Sequence, residues 1–114
     1  MTESQATSKL LAQLKDYGFF WKASDRYRAG IPDIVGVYIG RFMGIEMKID
    51  YNKPSALQIH ELFEIVKHGG YGAVVTYNNK SRKWWVRGRS FASPRLTALH
   101  LVERSRFHKD DIQE

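Results

Sequence analysis

Apolar residues recur at helical spacing in three segments of the chain. The first predicts a helix over about 3–17 that ends at the following glycine, with apolar positions at Leu10, Leu11, Leu14 and Tyr17. The second begins at Ser55 as N-cap and stops at Gly69-Gly70, with an apolar stripe of Ile59, Leu62, Phe63 and Val66. The third opens at Ser93-Pro94 and predicts a basic helix over about 93–107, followed by a frayed tail.

Between these helices lie segments typical of β-strands. The predicted strands span residues 19–22, 33–39, 42–49, 72–77 and 83–89. Gly40-Arg41 is the expected turn between the second and third strands, and residues 78–82 join the last two as a hairpin. This order predicts a single α/β domain over residues 1–114, a mixed β-sheet flanked by α-helices, with its core at about 3–90.

A carboxylate and an ammonium group stand in the middle of the third predicted strand. Met43, Ile45 and Met47 alternate as core residues, so Glu46 and Lys48 share the opposite face, about 7 Å apart along the strand. A solvent-exposed ion pair, worth about 0–1 kcal/mol, would account for them without any function.

The preceding strand offers a second carboxylate and with it a chemical alternative. Counting outward from a Gly40-Arg41 turn brings Asp33 near Lys48, within reach of Glu46 at one end of the sheet. Two carboxylates held close repel each other, and a hard divalent cation such as Mg²⁺ relieves that repulsion. Such an ion activates water and stabilises negative charge on a phosphate, and an adjacent lysine can assist it.

Five features follow one another in an order that resembles a known group of nucleases. They are Gly30-Ile31-Pro32-Asp33, Gly44-Ile45-Glu46-Met47-Lys48, Ser55–Gln58, Gly69-Gly70 and the strand segment Ala73–Thr76. In this order they resemble the PD-(D/E)XK nuclease superfamily, and most of all its small phage-type VRR-NUC and Holliday-junction-resolvase-like branch. The resemblance covers roughly residues 3–77.

This resemblance implies a restriction-endonuclease-like fold and a Mg²⁺- or Mn²⁺-dependent endonuclease that cuts DNA. Asp33, Glu46 and the backbone carbonyl of Met47 would be metal ligands, and Lys48 the catalytic lysine. Branched DNA such as a four-way Holliday junction is the substrate that the branch implies. Symmetric cutting of two strands by such a small domain calls for a homodimer.

Two further residues each have two interpretations. Glu3 matches the acidic residue that the family often carries on its first helix, but a first-turn carboxylate is also favoured by the helix dipole. Gln58 fits a capping box with Ser55, and the family also places a Gln near the metal at this point.

Basic residues crowd the second half of the chain. Residues 79–109 contain nine Lys or Arg and one acidic residue. The predicted nucleic-acid contacts are Lys83, Trp85, Arg87 and Arg89 on one face of the last strand, together with Arg26 and Arg28 in the loop before Asp33. The alternative is a solvated edge strand that its charge protects against aggregation.

Charge and composition narrow the partners, types of site and cellular locations that are open to this protein. A net charge of +6 over 114 residues favours an anionic partner, either nucleic acid or an acidic membrane surface. The absence of cysteine excludes disulfides and thiolate zinc sites. No apolar run approaches the roughly 20 residues of a membrane span, and the N-terminal residues lack the apolar core of a signal peptide. Composition therefore predicts a cytoplasmic protein without membrane association. The resemblance to phage-type nucleases implies a nuclease that acts in the cytoplasm, including that of a phage's host cell. The alternatives are a non-catalytic nucleic-acid-binding module on the same fold and a basic protein that docks on an acidic partner.

Overall fold

Three helices flank one mixed β-sheet in the computed structural model, which describes residues 1–24 and 28–112. The elements are α1 (Glu3–Leu14), β1 (Phe19–Lys22), β2 (Ile34–Tyr38), β3 (Arg41–Ile49), α2 (Ala56–Lys67), β4 (Tyr71–Asn78), β5 (Lys83–Val86), β6 (Arg89–Phe91), α3 (Pro94–Phe107) and β7 (Asp110–Asp111). The predicted fold class, a mixed sheet with flanking helices, is confirmed.

The sheet has seven strands in the order β1-β2-β3-β4-β5-β6, with β7 paired to β4. The pairs β3–β4 and β4–β7 are parallel, and the other pairs are antiparallel. A parallel pair needs a crossover, and α2 provides it between β3 and β4. Strand β3 is consequently central, with helices on both of its faces.

Alternation along β3 separates the two layers of the core. Met43, Ile45 and Met47 are fully buried on the face that packs against α1 and α3. Gly44, Glu46 and Lys48 lie on the opposite face, which α2 covers. A Cβ atom on Gly44 would lie 2.5 Å from Cδ1 of Ile65, so the glycine allows α2 to pack closely on the strand.

The helix termini follow the predicted capping residues. Ser55 and Ser93 are the N-caps of α2 and α3, as predicted. Helix α1 ends at Leu14, before the predicted Tyr17, because the N–H groups of Tyr17 and Gly18 both donate to the Leu14 carbonyl in a tight turn. In the predicted stripe of α2, Phe63 is 38% exposed whereas Leu62 is fully buried.

The turn between β2 and β3 differs from the prediction. The two turn residues are Ile39 and Gly40, whose φ angles of 47° and 74° are those of a two-residue hairpin turn. The predicted Gly40-Arg41 turn is wrong because Arg41 already pairs with Tyr38. The pairing therefore shifts by two residues, which leaves every side chain on its expected face.

The last predicted strand is also interrupted. Arg87 and Gly88 have φ angles of 46° and 78° and form a second two-residue turn. The predicted single strand over residues 83–89 is therefore wrong: β5 ends at Val86, and Arg89 begins β6 opposite it. Arg87 and Arg89 do not continue the strand face of Lys83 and Trp85.

The sequence predicted a frayed tail after α3, but residues 110–112 pack against the sheet. Strand β7 pairs in parallel with β4, matching Asp110 with Gly72 and Asp111 with Ala73. The side chain of Asp111 is buried, where it accepts hydrogen bonds from the Arg104 guanidinium and the Tyr71 hydroxyl. Ile112 is 3% exposed and packs with Leu62 of α2.

Candidate metal centre and nucleic-acid surface

Asp33 is the residue that immediately precedes β2. Its Oδ2 atom accepts a hydrogen bond of 2.7 Å from the backbone N–H of Met47. Continuing the pairing of Ile34 with Ile45 by one residue sets Asp33 directly opposite Glu46, whereas the predicted turn would have set it opposite Lys48. Asp33 is within reach of Glu46, as predicted. The loop that carries Asp33 is shaped by Gly30, which has a φ of 82° and leaves no room for a Cβ beside Leu57.

Glu46 is buried to an unusual degree for a carboxylate, with 1% of its surface exposed. Its Oε2 atom lies 3.7 Å from the Lys48 ammonium and accepts a 3.2 Å hydrogen bond from the Gln58 amide. Its Oε1 atom receives no hydrogen bond from a donor among the described residues. Burial, followed by the hydrogen bond that a protonated Glu46 makes with Asp33 and by the charge of Asp33, raises the pKa of Glu46 to about 9. The alternative of a solvent-exposed Glu46–Lys48 ion pair is therefore wrong, because the Lys48 side chain is also only 11% exposed.

Three carboxylates converge at this end of the sheet. Glu3, Asp33 and Glu46 each offer an oxygen atom, and these atoms lie within 4.8 Å of one another. Glu3 reaches the cluster from the first turn of α1, so its position is compatible with both of its interpretations. Burial raises the pKa of Glu3, an effect that Lys48 opposes and Asp33 reinforces.

Gln58 combines the two roles that its position suggests. Its Oε1 atom accepts a 2.8 Å hydrogen bond from the backbone N–H of Ser55, which completes the capping box. Its Nε2 atom donates to Oε2 of Glu46. The first turn of α2 thereby fixes one oxygen of Glu46 and leaves the other unpartnered.

The donor set fits a hard divalent cation. Carboxylate and carbonyl oxygens are the ligands that Mg²⁺ and Mn²⁺ prefer, and the unpartnered Oε1 of buried Glu46 lacks the compensation that such a group normally receives. The N–H and C=O of a strand residue point to the same side, so the Met47 carbonyl is directed toward Asp33 as its N–H is. Two of the ligands implied by the resemblance, Asp33 and Glu46, thus lie together with Glu3 at one end of the sheet, and the Met47 carbonyl points to the side of β3 on which Asp33 lies.

The predicted nucleic-acid contacts are divided among several places. Arg26 lies outside the described residues. Arg28 forms two hydrogen bonds with Glu61 of α2, at 3.0 and 2.8 Å. Arg87 lies at the second turn, 3.7 Å from a carboxylate oxygen of Asp111. Lys83 and Trp85 remain neighbours on one face of β5, where Trp85 is 37% exposed.

A pocket of about 680 Å³ lies beside the acidic cluster and was not predicted from the sequence. Its lining includes Tyr51, Thr76, Lys80, Trp85, Arg87 and Ile112. These residues come from four separate parts of the chain, so no local pattern joins them. Trp85 and Arg87 of this lining were predicted as nucleic-acid contacts. A further signal was Tyr51, an aromatic residue in a polar connection, which is 83% exposed.

No helix within residues 1–24 and 28–112 has the length and apolar character required to cross a membrane. No family model matches the chain, and no curated protein matches its sequence.

Proposed function

We propose that this protein is a divalent-metal-dependent endonuclease that hydrolyses phosphodiester bonds in DNA, and that it belongs to the PD-(D/E)XK superfamily. The observation that carries the proposal is the buried Glu46, whose Oε1 lacks a partner while Asp33, Glu3 and the Lys48 ammonium surround it. A buried carboxylate oxygen without a hydrogen-bond donor is costly to folding, and a metal ligand is the chemical role that justifies such a cost.

Each residue of the cluster has a distinct task in this proposal. Asp33, Glu46 and the Met47 carbonyl would hold Mg²⁺ or Mn²⁺, with Glu3 as a further carboxylate beside them. When bound, the ion lowers the pKa of a coordinated water and offsets negative charge on the phosphate. Lys48 carries its ammonium group into the same space, where it can orient the attacking water or donate to a phosphate oxygen. Gln58 keeps Oε2 of Glu46 in place.

Support for DNA as the substrate comes from charge and surface chemistry. The net charge of +6 attracts a polyanion, and exposed Lys83 lies beside the half-exposed ring of Trp85 on β5. A branched substrate such as a four-way junction, and a homodimer that cuts two strands symmetrically, rest on the resemblance of the motifs alone.

The test is a cleavage assay with supercoiled plasmid, linear duplex and a synthetic four-way junction. Each substrate is incubated with Mg²⁺, Mn²⁺, Ca²⁺ or EDTA. We expect cleavage with Mg²⁺ or Mn²⁺ and none with EDTA. Asp33→Asn should abolish it, and Lys48→Met should lower the rate by about 10²- to 10³-fold while DNA affinity is retained. Exposed Asp16→Asn and Lys67→Met are matched controls that should leave the rate unchanged.

Two outcomes would contradict the proposal. Metal-independent DNA binding without cleavage of any of the three substrates would favour the non-catalytic module. Cleavage that survives in Asp33→Asn would assign the activity to other residues or to a contaminant.

A further inference from the structure

The pocket beside the acidic cluster opens on the same face of the sheet as Glu46 and Lys48. Its floor is formed by Val74 and Thr76 of β4 and by Ile112. Two aromatic residues, Tyr51 and Trp85, stand at its sides and are 83% and 37% exposed. Its volume of about 680 Å³ is within the usual range of small-ligand sites.

Strand register connects this pocket directly to the candidate metal centre. Lys48 of β3 pairs with Thr76 of β4, and Thr76 pairs with Trp85 of β5. Paired residues on neighbouring strands share a face, so the three side chains form one row across the sheet. Two strand spacings separate the backbones of Lys48 and Trp85 by about 10 Å, a distance that one or two nucleotides span.

The charges around the pocket suit a phosphodiester strand. Lys80 and Arg87 line it and carry positive charge, although Arg87 also lies 4.0 and 3.7 Å from carboxylate oxygens of Asp110 and Asp111. The two carboxylates that also line it are already engaged: Asp50 accepts hydrogen bonds from Asn79, and Asp111 is paired with Arg104. An aromatic pair with flanking cations is the surface on which single-stranded nucleic acid stacks its bases and neutralises its phosphates.

We infer that this pocket binds an unpaired nucleobase of DNA, one or two nucleotides from the phosphate held at Lys48. A base within a duplex is stacked and paired, so its ring face is not available to Tyr51 and Trp85. The substrate would therefore have single-stranded DNA next to the cut, as at a flap, a gap or an opened branch point. The position of the cut rests on the proposed nuclease function, whereas the binding of the base does not.

The experiment measures binding in EDTA, where no cleavage occurs. The probes are fluorescein-labelled (dT)8 and a labelled blunt hairpin duplex, followed by anisotropy. We expect Trp85→Ala to weaken (dT)8 binding by roughly 5- to 150-fold, the effect of losing one stacked base. Trp85→Phe should retain most of the affinity because it keeps an aromatic face. Hairpin binding should change much less.

Matched control variants distinguish the loss of base stacking from a general loss of folding. Trp21→Ala removes a tryptophan of similar exposure, 40%, from the distant strand β1 and should leave (dT)8 affinity unchanged. Tyr51→Ala alters an 83% exposed side chain and should weaken (dT)8 binding without loss of folding. Trp84 is unsuitable as a control because it is 2% exposed and belongs to the core.

The outcomes distinguish this inference from the nuclease proposal. Unchanged (dT)8 affinity in both folded Trp85→Ala and Tyr51→Ala, or equal losses for (dT)8 and hairpin, would overturn the pocket assignment even if metal-dependent cleavage is found. Selective loss of (dT)8 binding in a protein that cuts no substrate would support the pocket and refute the nuclease. If both hold, Trp85→Ala should raise KM more than it lowers kcat on a flap substrate.

Discussion

The Asp33 carboxylate accepts a 2.7 Å hydrogen bond from the backbone N–H of Met47, fourteen residues later in the chain. This bond joins the residue before β2 to the strand that carries Glu46 and Lys48. Asp33 therefore has a structural contact as well as a place in the carboxylate cluster. The two roles respond differently to substitution, and this difference can be measured.

Replacing Asp33 with asparagine should distinguish its contribution to folding from its contribution to metal binding. Asp33→Asn keeps a side-chain oxygen that can accept the Met47 N–H but removes the charge. We expect its metal-free stability to equal or exceed that of the wild type, because the Asp33 charge helps to keep Glu46 protonated at a cost in folding free energy, and asparagine removes that charge. Asp33→Ala leaves the N–H without its acceptor and should cost about 1–3 kcal/mol. Thermal melts in EDTA and calorimetric Mg²⁺ titrations measure the two effects. A severe loss of stability in Asp33→Asn would make the charge itself structural.

The protonation of Glu46 should make the metal-free protein less stable as pH rises. Its pKa of about 9 in the folded state lies above the ordinary value of 4.5. Between these values the unfolded chain has released this proton while the folded protein holds it, so unfolding becomes easier with increasing pH. For one proton, the free energy of unfolding should fall by roughly 1.4 kcal/mol per pH unit within this range. Urea unfolding in EDTA from pH 5 to 9 measures it.

Glu46→Gln is the matched control for this pH dependence. It removes the titrating group and should flatten the slope between pH 5 and 9. Mg²⁺ binds the deprotonated carboxylate, so it should raise the melting temperature of the wild type most at pH 8–9 and should not do so in Glu46→Gln. Equal slopes in the two proteins would show that Glu46 is not protonated in the folded state.

The turn between β2 and β3 carries backbone strain that a substitution can release. Ile39 is β-branched, has a φ of 47° and is 71% exposed. Asparagine adopts positive φ more readily and precedes glycine in many two-residue hairpin turns. Ile39→Asn should therefore stabilise the protein by about 1 kcal/mol, whereas Ile39→Val should not. Chemical denaturation measures the free energy of unfolding of both variants. A destabilised Ile39→Asn variant would show that the contacts of the Ile39 side chain outweigh its backbone strain.

The ordered tail should contribute to global stability through one buried carboxylate. Burial opposes ionisation of Asp111, but hydrogen bonds from Arg104 and Tyr71 outweigh it and lower the pKa. Asp111→Ala would leave the Arg104 guanidinium without this partner and should cost about 3–5 kcal/mol. The adjacent Asp110→Ala is the control and should cost far less, since the Asp110 side chain is 25% exposed. Equal and small losses of unfolding free energy in the two variants would mean that β7 contributes little to the stability of the folded state.

Local patterns in the sequence were sufficient for most elements of the fold. Caps at Ser55 and Ser93 and the alternation of Met43, Ile45 and Met47 are short-range signals, because helix ends and strand faces depend on neighbouring residues. The same alternation set Glu46 and Lys48 on one face. The error at the β2–β3 turn moved the register by two residues, and an even shift preserves the face.

Tertiary structure alone decided the burial of Glu46, the partner of its Oε2 atom and the pocket beside Trp85. These properties depend on where α1, α2 and β7 pack, and residues far apart in the chain meet there without any shared local pattern. The tail illustrates the same point, since Asp111 of β7 is held by hydrogen bonds from Tyr71 and Arg104 and not by its own strand propensity. The chain by itself thus determined which chemical groups face one side of a strand, and packing determined whether water reaches them.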